Sequence, residues 1–252
     1  MGVAILFPAW YNALVKFNDK FVKFNESRSV YGNDWGIVRS EPDHGRGLPE
    51  KIHLSLGGSG GNFRFDSGAG ESLDPAEYTC AAEHVWVHHT AKVAPTAYLG
   101  GPCIIGAGTE VRHGAFIRGS ALVGENCVVG NSVELKNVIL FNGVQVPHYN
   151  YVGDSILGYK AHMGAGSLTS NVKSDKSLVV IHTQPPMETG RKKVGALVGD
   201  FVEVGCNSVL NPGTVVGRHS NVYPLSCVRG VIPADSIYKT GGVIVPKIGK
   251  GE

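Results

Sequence analysis

Residues 85–141 read VWVHHTAKVAPTAYLGGPCIIGAGTEVRHGAFIRGSALVGENCVVGNSVELKNVILF, and within them a large apolar residue returns every six positions. Val87, Val93, Leu99, Ile105, Val111, Ile117, Val123, Val129, Leu135 and Phe141 form the series. Two residues ahead of each stands Val85, Ala91, Ala97, Cys103, Thr109, Ala115, Ala121, Cys127, Val133 or Ile139, mostly small. Neither a helical period of 3.6 nor a strand period of 2.0 generates a strict six with a small residue held at minus two. A solenoid with one short strand per face does: the large residue points inward and the small one fits the crowded corner. Gly106, Gly124 and Gly130 follow three of the large positions, where a corner is expected to need a permissive backbone.

Three such faces make an 18-residue coil, and coils stack at about 4.8 Å per strand layer. The pattern returns at Val198, Val204, Leu210, Val216, Val222 and Val228, behind Ala196, Val202, Ser208, Thr214, Ser220 and Ser226. The fold class is therefore all-β, a hexapeptide-repeat parallel β-helix whose continuous apolar column no single repeat could bury alone.

Outward from this core the signals change. Residues 1–40, with apolar residues from about 3 to 24, are expected to hold short helices, and the Gly-, Ser-, Asp- and Pro-rich residues 41–83 a linker. GGSGG at 57–61 follows the strand-like IHLSL and reads as flexible chain rather than a phosphate loop, since no helix pattern or Lys follows it. The β-helix is assigned to 84–235, with a loop excursion at 172–195 where the repeat lapses, and a tail at 236–252. A loop of that length tends to be functional.

Composition excludes several classes. The chain of 252 residues has 23 Lys+Arg against 21 Asp+Glu, too balanced for a nucleic-acid footprint, and it lacks a spanning apolar run. Its 35 glycines, about twice the usual share of roughly 7%, speak for many tight turns. Cys80, Cys103, Cys127, Cys206 and Cys227 are odd in number and without a C-x-x-C pair, so they are expected to be small buried residues in a reducing compartment. MGVAILFPAWYNALVKF lacks a basic leader and a cleavage site, and Leu6 breaks the myristoylation pattern, so a cytoplasmic location is expected.

After Phe141 the next repeat position is Pro147, followed by His148, Tyr149, Asn150 and Tyr151, and the register reads as lost until Leu157 and Met163. A departure from an otherwise consistent pattern is where function is expected. Glu134 and Lys136 lie one coil earlier, and Arg118 one further coil before Lys136. Their 18-residue spacing should stack the two cations on one face.

The stretches AFIRG, GNSVELKN, VPHYNYVGDSILG, MGAGSLTSN and VGDFVEVGCNSVLNPGTVVG carry a resemblance over about residues 84–235. The chain resembles the acetyltransferase domain of the bifunctional glucosamine-1-phosphate acetyltransferase/N-acetylglucosamine-1-phosphate uridyltransferase, and still more the hexapeptide half of related sugar-phosphate nucleotidyltransferases. The resemblance implies a left-handed β-helix, a homotrimer, and acetyl-CoA between neighbouring subunits. It implies His148 as catalytic base, with Arg118, Lys136 and Tyr151 holding the sugar phosphate and Glu134 and Asn171 lining the same site. The chemistry suits these types: an amine attacking a thioester must shed a proton, and a His is suited to take it, typically worth about 10²- to 10⁴-fold. The carbonyl oxygen needs a donor, a backbone N–H or Asn171.

His162 stands where the resembled domain tends to have Asn, which bears on acceptor identity. Arg191, Lys192 and Lys193 read as a solvated charge run or as contacts for the phosphates of CoA. The uridyltransferase domain, with its Gly-rich loop followed by Arg and Lys, has no counterpart in the sequence, so nucleotidyltransferase activity is not expected of this chain. His84, His88, His89, His113 and His162 invite a zinc reading, since the fold also hosts a zinc carbonic anhydrase, but their order is wrong for its ligand set and no metal is expected. The reading is an acetyl-CoA-dependent N-acetyltransferase acting on an amino-sugar phosphate, glucosamine 1-phosphate first, in nucleotide-sugar biosynthesis. Two alternatives stand beside it. One is a non-catalytic β-helix binding a nucleotide sugar or a separate nucleotidyltransferase subunit; the other is an acyltransferase with another acceptor.

Overall fold

A computed structural model describes residues 73–248, together with the backbone of five earlier strands. Those strands, Lys16–Phe17, Lys20–Ser29, Gly32–Arg39, Lys51–Leu56 and Phe63–Phe65, pair antiparallel in sequence order. The helices expected before residue 40 are thus replaced by strands wherever that segment is described. The eight-residue ladder from Val22↔Arg39 to Ser29↔Gly32 needs only a two-residue connection. Asn18, Asn25 and Ser27 interrupt the apolar residues that a helix would need. The strand reading of IHLSL is met, while the GGSGG segment lies outside the described residues.

From Val85 onward the chain winds into a parallel β-solenoid of about nine turns, as the six-residue repeat requires. The first coils pair at an 18-residue step, Val85↔Cys103↔Ala121 on one face, Lys92↔Glu110↔Val128 on the second and Tyr98↔Phe116↔Glu134 on the third. The inward column is closed to solvent: Ile105, Ile117, Val123, Val129 and Leu135 are fully buried, and Cys103, Thr109, Ala115, Ala121 and Cys127 fill the minus-two sites. An antiparallel hairpin closes each end, Tyr78–Ala82 on Val85–His88 and Ser236–Tyr238 with Ile244–Pro246. The segment from 236 is therefore largely a cap rather than a tail, and it covers strand edges that would otherwise invite pairing.

Three expectations are corrected. The repeat does not break at Pro147. Ala121 pairs with Val138 and Val123 with Leu140, a step of seventeen, because the corner at Lys136-Asn137 is one residue shorter than that at Arg118-Gly119-Ser120. Leu140 rather than Phe141 occupies the column, and Val146, Val152, Leu157 and Met163 continue it fully buried through the PHYNYVGDS stretch. Gly106 and Gly124 do not take left-handed backbone; a Cβ on Gly106 would lie 2.6 Å from the Gly124 backbone, and one on Gly124 2.8 Å from Asn142 N, so they are needed for coil-to-coil approach. Finally, only Cys103 and Cys127 are buried, their thiols pushed up to about 12 by burial, whereas Cys80, Cys206 and Cys227 lie at outward positions and are exposed. No helix among the described residues is long and apolar enough to cross a membrane.

Candidate active site

The two-cation corner forms as the spacing predicts. Phe116 pairs with Glu134 and Ile117 with Leu135, and the Arg118 N–H donates to the Leu135 carbonyl at 2.9 Å, so Arg118 stacks on Lys136. One coil on, Glu134 pairs with Tyr151 and Lys136 with Gly153. Phe116, Glu134 and Tyr151 consequently form an outward ladder on one face, and Arg118, Lys136 and Gly153 the adjoining corner. The Arg118 Nη1 lies 2.8 Å from Glu134 Oε1, a bond that raises the guanidinium above its ordinary range. Burial holds the Lys136 ammonium below the usual lysine range; Asp154 opposes that shift, while Lys193 and Arg118 add to it.

Gly153 leaves room at this corner. The Tyr151 phenol and the Asn171 amide fold into the space that a side chain there would fill. Asn171 Nδ2 donates to Tyr151 Oη at 3.2 Å and to Asp154 Oδ2, while Asp154 Oδ1 accepts from Asn137 Nδ2 at 2.9 Å. Both amide protons of Asn171 are committed, so in this arrangement it orients its neighbours and leaves no proton for an oxyanion. Burial, and then the nearby Asp154 carboxylate, push the Tyr151 phenol up.

The returning end of the excursion closes the same corner. Val172 bridges Lys193, the Val194 N–H donates to the Asn171 carbonyl at 3.0 Å, and the Gly195 N–H to the Asp154 carbonyl at 2.8 Å. This brings Lys193 beside Lys136 and half-buried Arg191 near Asp154, which counters the lowering of Arg191 by burial. Lys192 is exposed. Two members of the basic run thus join the cradle, which the sequence pattern did not indicate.

His148 occupies the opposite corner of the Tyr151 face, three residues and at most about 10 Å of chain from Tyr151. Its ring is exposed while its backbone is held: the His148 N–H donates to Asn150 Oδ1 at 3.1 Å, and buried Asn150 donates to the carbonyls of Gly164 and Ser167 at 2.8 and 3.0 Å. Tyr149 beside it has left-handed backbone at φ 52°. Backbone bonds from Tyr149 to Asn131, Gly166 to His148, Asn207 to Ala165 and Leu225 to Cys206 show that the His148 corner continues down the solenoid as Ala165, Cys206 and Pro224. Alongside runs an open groove of about 470 Å³ lined by His162, Glu203, Cys206, Tyr223 and Pro224 among others.

His162 belongs to that groove and not to the cradle. It pairs with Gln145 and Glu203 on the preceding face, with Nδ1 2.8 Å from Glu203 Oε2. The sequence reading also missed Asp154 and Asn150. Asp154 has a signal, standing seventeen residues after Asn137 at the same corner, and Asn150 another, a polar residue at the minus-two site of Val152. Among the described residues no group of three or more His, Cys, Asp and Glu converges as a metal site would require.

Known proteins share this part of the chain. A bifunctional sugar-1-phosphate nucleotidylyltransferase/acetyltransferase of Sulfurisphaera tokodaii is 30% identical over 105 residues, 41% of this chain and 26% of its own length. A bifunctional protein GlmU of Methanococcus maripaludis is 31% identical over 113 residues, 44% and 28%. The chain spans about a quarter of the length of these curated relatives. A hexapeptide transferase family protein from Anaplasma phagocytophilum superposes over 66% of this chain and 81% of its own, at 14% identity and a TM-score of 0.37. The model of the GMPPB C-terminal domain matches residues 99–237, more than half of the 252 residues and the whole of the described cradle, so the chain belongs to the GMPPB C-terminal domain family.

Proposed function

We propose that the protein is an acetyl-CoA-dependent N-acetyltransferase that acts as a homotrimer on an amino-sugar phosphate, glucosamine 1-phosphate being the first acceptor to test. The observation that carries this reading is the corner where Arg118 and Lys136 stack and Lys193 returns beside them, three cations around one small space. Such a cluster suits a phosphate dianion: Arg offers a planar fork of donors and each Lys a point charge. Tyr151 offers a hydroxyl toward the sugar from the face between the cradle and His148, and Glu134 restrains Arg118.

The groove beside the His148 corner fits an extended pantetheine arm, since Ala165 and Cys206 keep the corner low and Val204, Tyr223 and Pro224 line it with apolar surface. The thioester, when bound, supplies an acetyl carbonyl with a thiolate leaving group. The exposed His148 ring accepts the proton that the acceptor amine sheds as its N–C bond forms and the C–S bond breaks. Similarity to a bifunctional sugar-1-phosphate nucleotidylyltransferase/acetyltransferase supports an acetyltransferase acting in sugar-phosphate chemistry.

The test is thiol release from acetyl-CoA in the presence of glucosamine 1-phosphate, with His148→Ala beside the intact chain. The expected result is release that needs the sugar and falls about 10²- to 10⁴-fold in the variant. No release from a folded trimer that also fails to bind acetyl-CoA would refute the enzyme and leave a binding scaffold.

A further inference from the structure

The most deeply buried charged group at the cradle is Asp154, 1% exposed, and the proposed transfer of an acetyl group makes no direct use of it. A buried carboxylate is costly unless hydrogen bonds and cations compensate it. Here both oxygens are engaged, Oδ1 by Asn137 and Oδ2 by Asn171, and the cations Lys136 and Arg191 lie within its field. The backbone does not require the charge. Asp154 has φ 49° at the corner where the coil above carries Asn137 at φ 52°, so an asparagine meets the same left-handed turn.

We propose that Asp154 is the positioning residue of this site: it orients Asn171, and through it Tyr151, and its charge holds the Lys136 ammonium in the cradle. The inference rests on the phosphate-cradle reading of this corner and names the group that organises it. The charged and titratable groups facing Lys136 are Arg118 on the coil above, Asp154 at the corner of the coil below, and Lys193 at the returning end of the excursion. Glu134 and Tyr151 on the adjoining face and Arg191 complete the set acting on this corner. Asp154 is the negative group among those acting on Lys136 and opposes its loss of a proton.

The experiment uses the full chain with its lysines ¹³C-dimethylated, the Lys136 resonance assigned by Lys136→Arg, and inorganic phosphate as the anion probe. Asp154→Asn keeps the shape and removes the charge. The titration midpoint of Lys136 is expected to fall by about one pH unit or more, the scale set by one contact charge. The pH above which phosphate ceases to bind falls with it, and the Asn171 side-chain amide protons lose their protection from exchange. A folded Asp154→Asn protein with an unchanged Lys136 midpoint and unchanged Asn171 exchange overturns the proposal. Should that variant not fold, Asn171→Ala keeps the test: the carboxylate stays, so Lys136 is expected to titrate as before while the Tyr151 phenol, having lost its donor, titrates higher. Movement of Lys136 without Tyr151 contradicts the assignment. None of these readouts contains acetyl-CoA or an amino sugar, so they succeed or fail independently of the acetyltransferase reading.

Discussion

Gly153→Ala is the substitution that separates the site from the scaffold most cleanly. Gly153 does not adopt left-handed backbone, so an alanine can take its conformation. The added Cβ would lie 2.5 Å from Tyr151 Oη, 2.8 Å from Tyr151 Cζ and 3.0 Å from Asn171 Nδ2, where ordinary contact begins at 3.4 Å. The phenol must therefore retreat by roughly 0.9 Å and the amide by roughly 0.4 Å, the differences between those values. Both near groups are side chains rather than backbone, so the solenoid column of Leu135, Val152 and Thr169 is undisturbed. The Asn171–Tyr151 bond is lost at a cost of about 0.5–1.5 kcal/mol. Displacement of a substrate-facing group by about 1 Å costs up to about 10²-fold in rate. The expected outcome is a fall of about 10- to 100-fold in kcat/KM for glucosamine 1-phosphate, measured by thiol release, with stability lowered by no more than about 1.5 kcal/mol in urea. Wild-type kinetics in this variant would remove Tyr151 and Asn171 from the site, and a failure to fold would show that Gly153 serves the scaffold instead.

Other outcomes follow from the same structure. Leu135→Ala, at a fully buried column site behind the cradle, should destabilise the solenoid by about 2–5 kcal/mol, read as a shift in urea midpoint with little change in its slope. Asn150→Ala strips partners from the His148 N–H and from the Gly164 and Ser167 carbonyls. It should cost about 1–3 kcal/mol and lower turnover more than KM, since the cradle is untouched. Asp200, whose Oδ1 accepts from the Tyr159 N–H, has its carboxyl pushed up to about 6 by burial. Its folded value exceeds the unfolded one, so the folded chain binds the extra proton and stability declines as pH rises from about 4 through about 6. Asn142 shows that an amide serves at this kind of corner, its Oδ1 accepting from the Glu125 N–H at 3.0 Å. Asp200→Asn should therefore flatten that decline and stabilise the protein at pH 7 by up to about 3 kcal/mol, an upper bound that Arg218 and solvent reduce. A melting temperature of the variant at or below that of the parent at pH 7 would count against this assignment.

The repeat made the solenoid legible because each inward position is decided locally, by one large residue every sixth place and a small one two before it. The stacking of Arg118 on Lys136 followed from the same arithmetic, since no residue is inserted or lost between them. The arithmetic misled where a corner lost one residue. A shortened turn at Asn137 looks, in a linear pattern, like a broken repeat at Pro147, although Val146 and Val152 keep the column filled. The resemblance brought His148, Tyr151 and Asn171 forward, and the spatial corner then set their neighbours.

What the chain determines by itself is therefore whatever depends on period: the β-helix, its apolar column, the order of its faces and the ladder positions of the cations. Only the tertiary structure decided which distant segments meet at the cradle. Lys193 and Arg191 reach Lys136 and Asp154 because an excursion leaves after Asn171 and returns across the same corner. That return is held by backbone bonds between residues more than twenty positions apart. His162, close to Tyr151 in sequence, lies on another face, because a corner in a solenoid redirects the chain within two or three residues. The period places Asp154 under Asn137, but its role depends on side chains from different segments, Asn137, Asn171, Lys136 and Arg191, converging on one carboxylate.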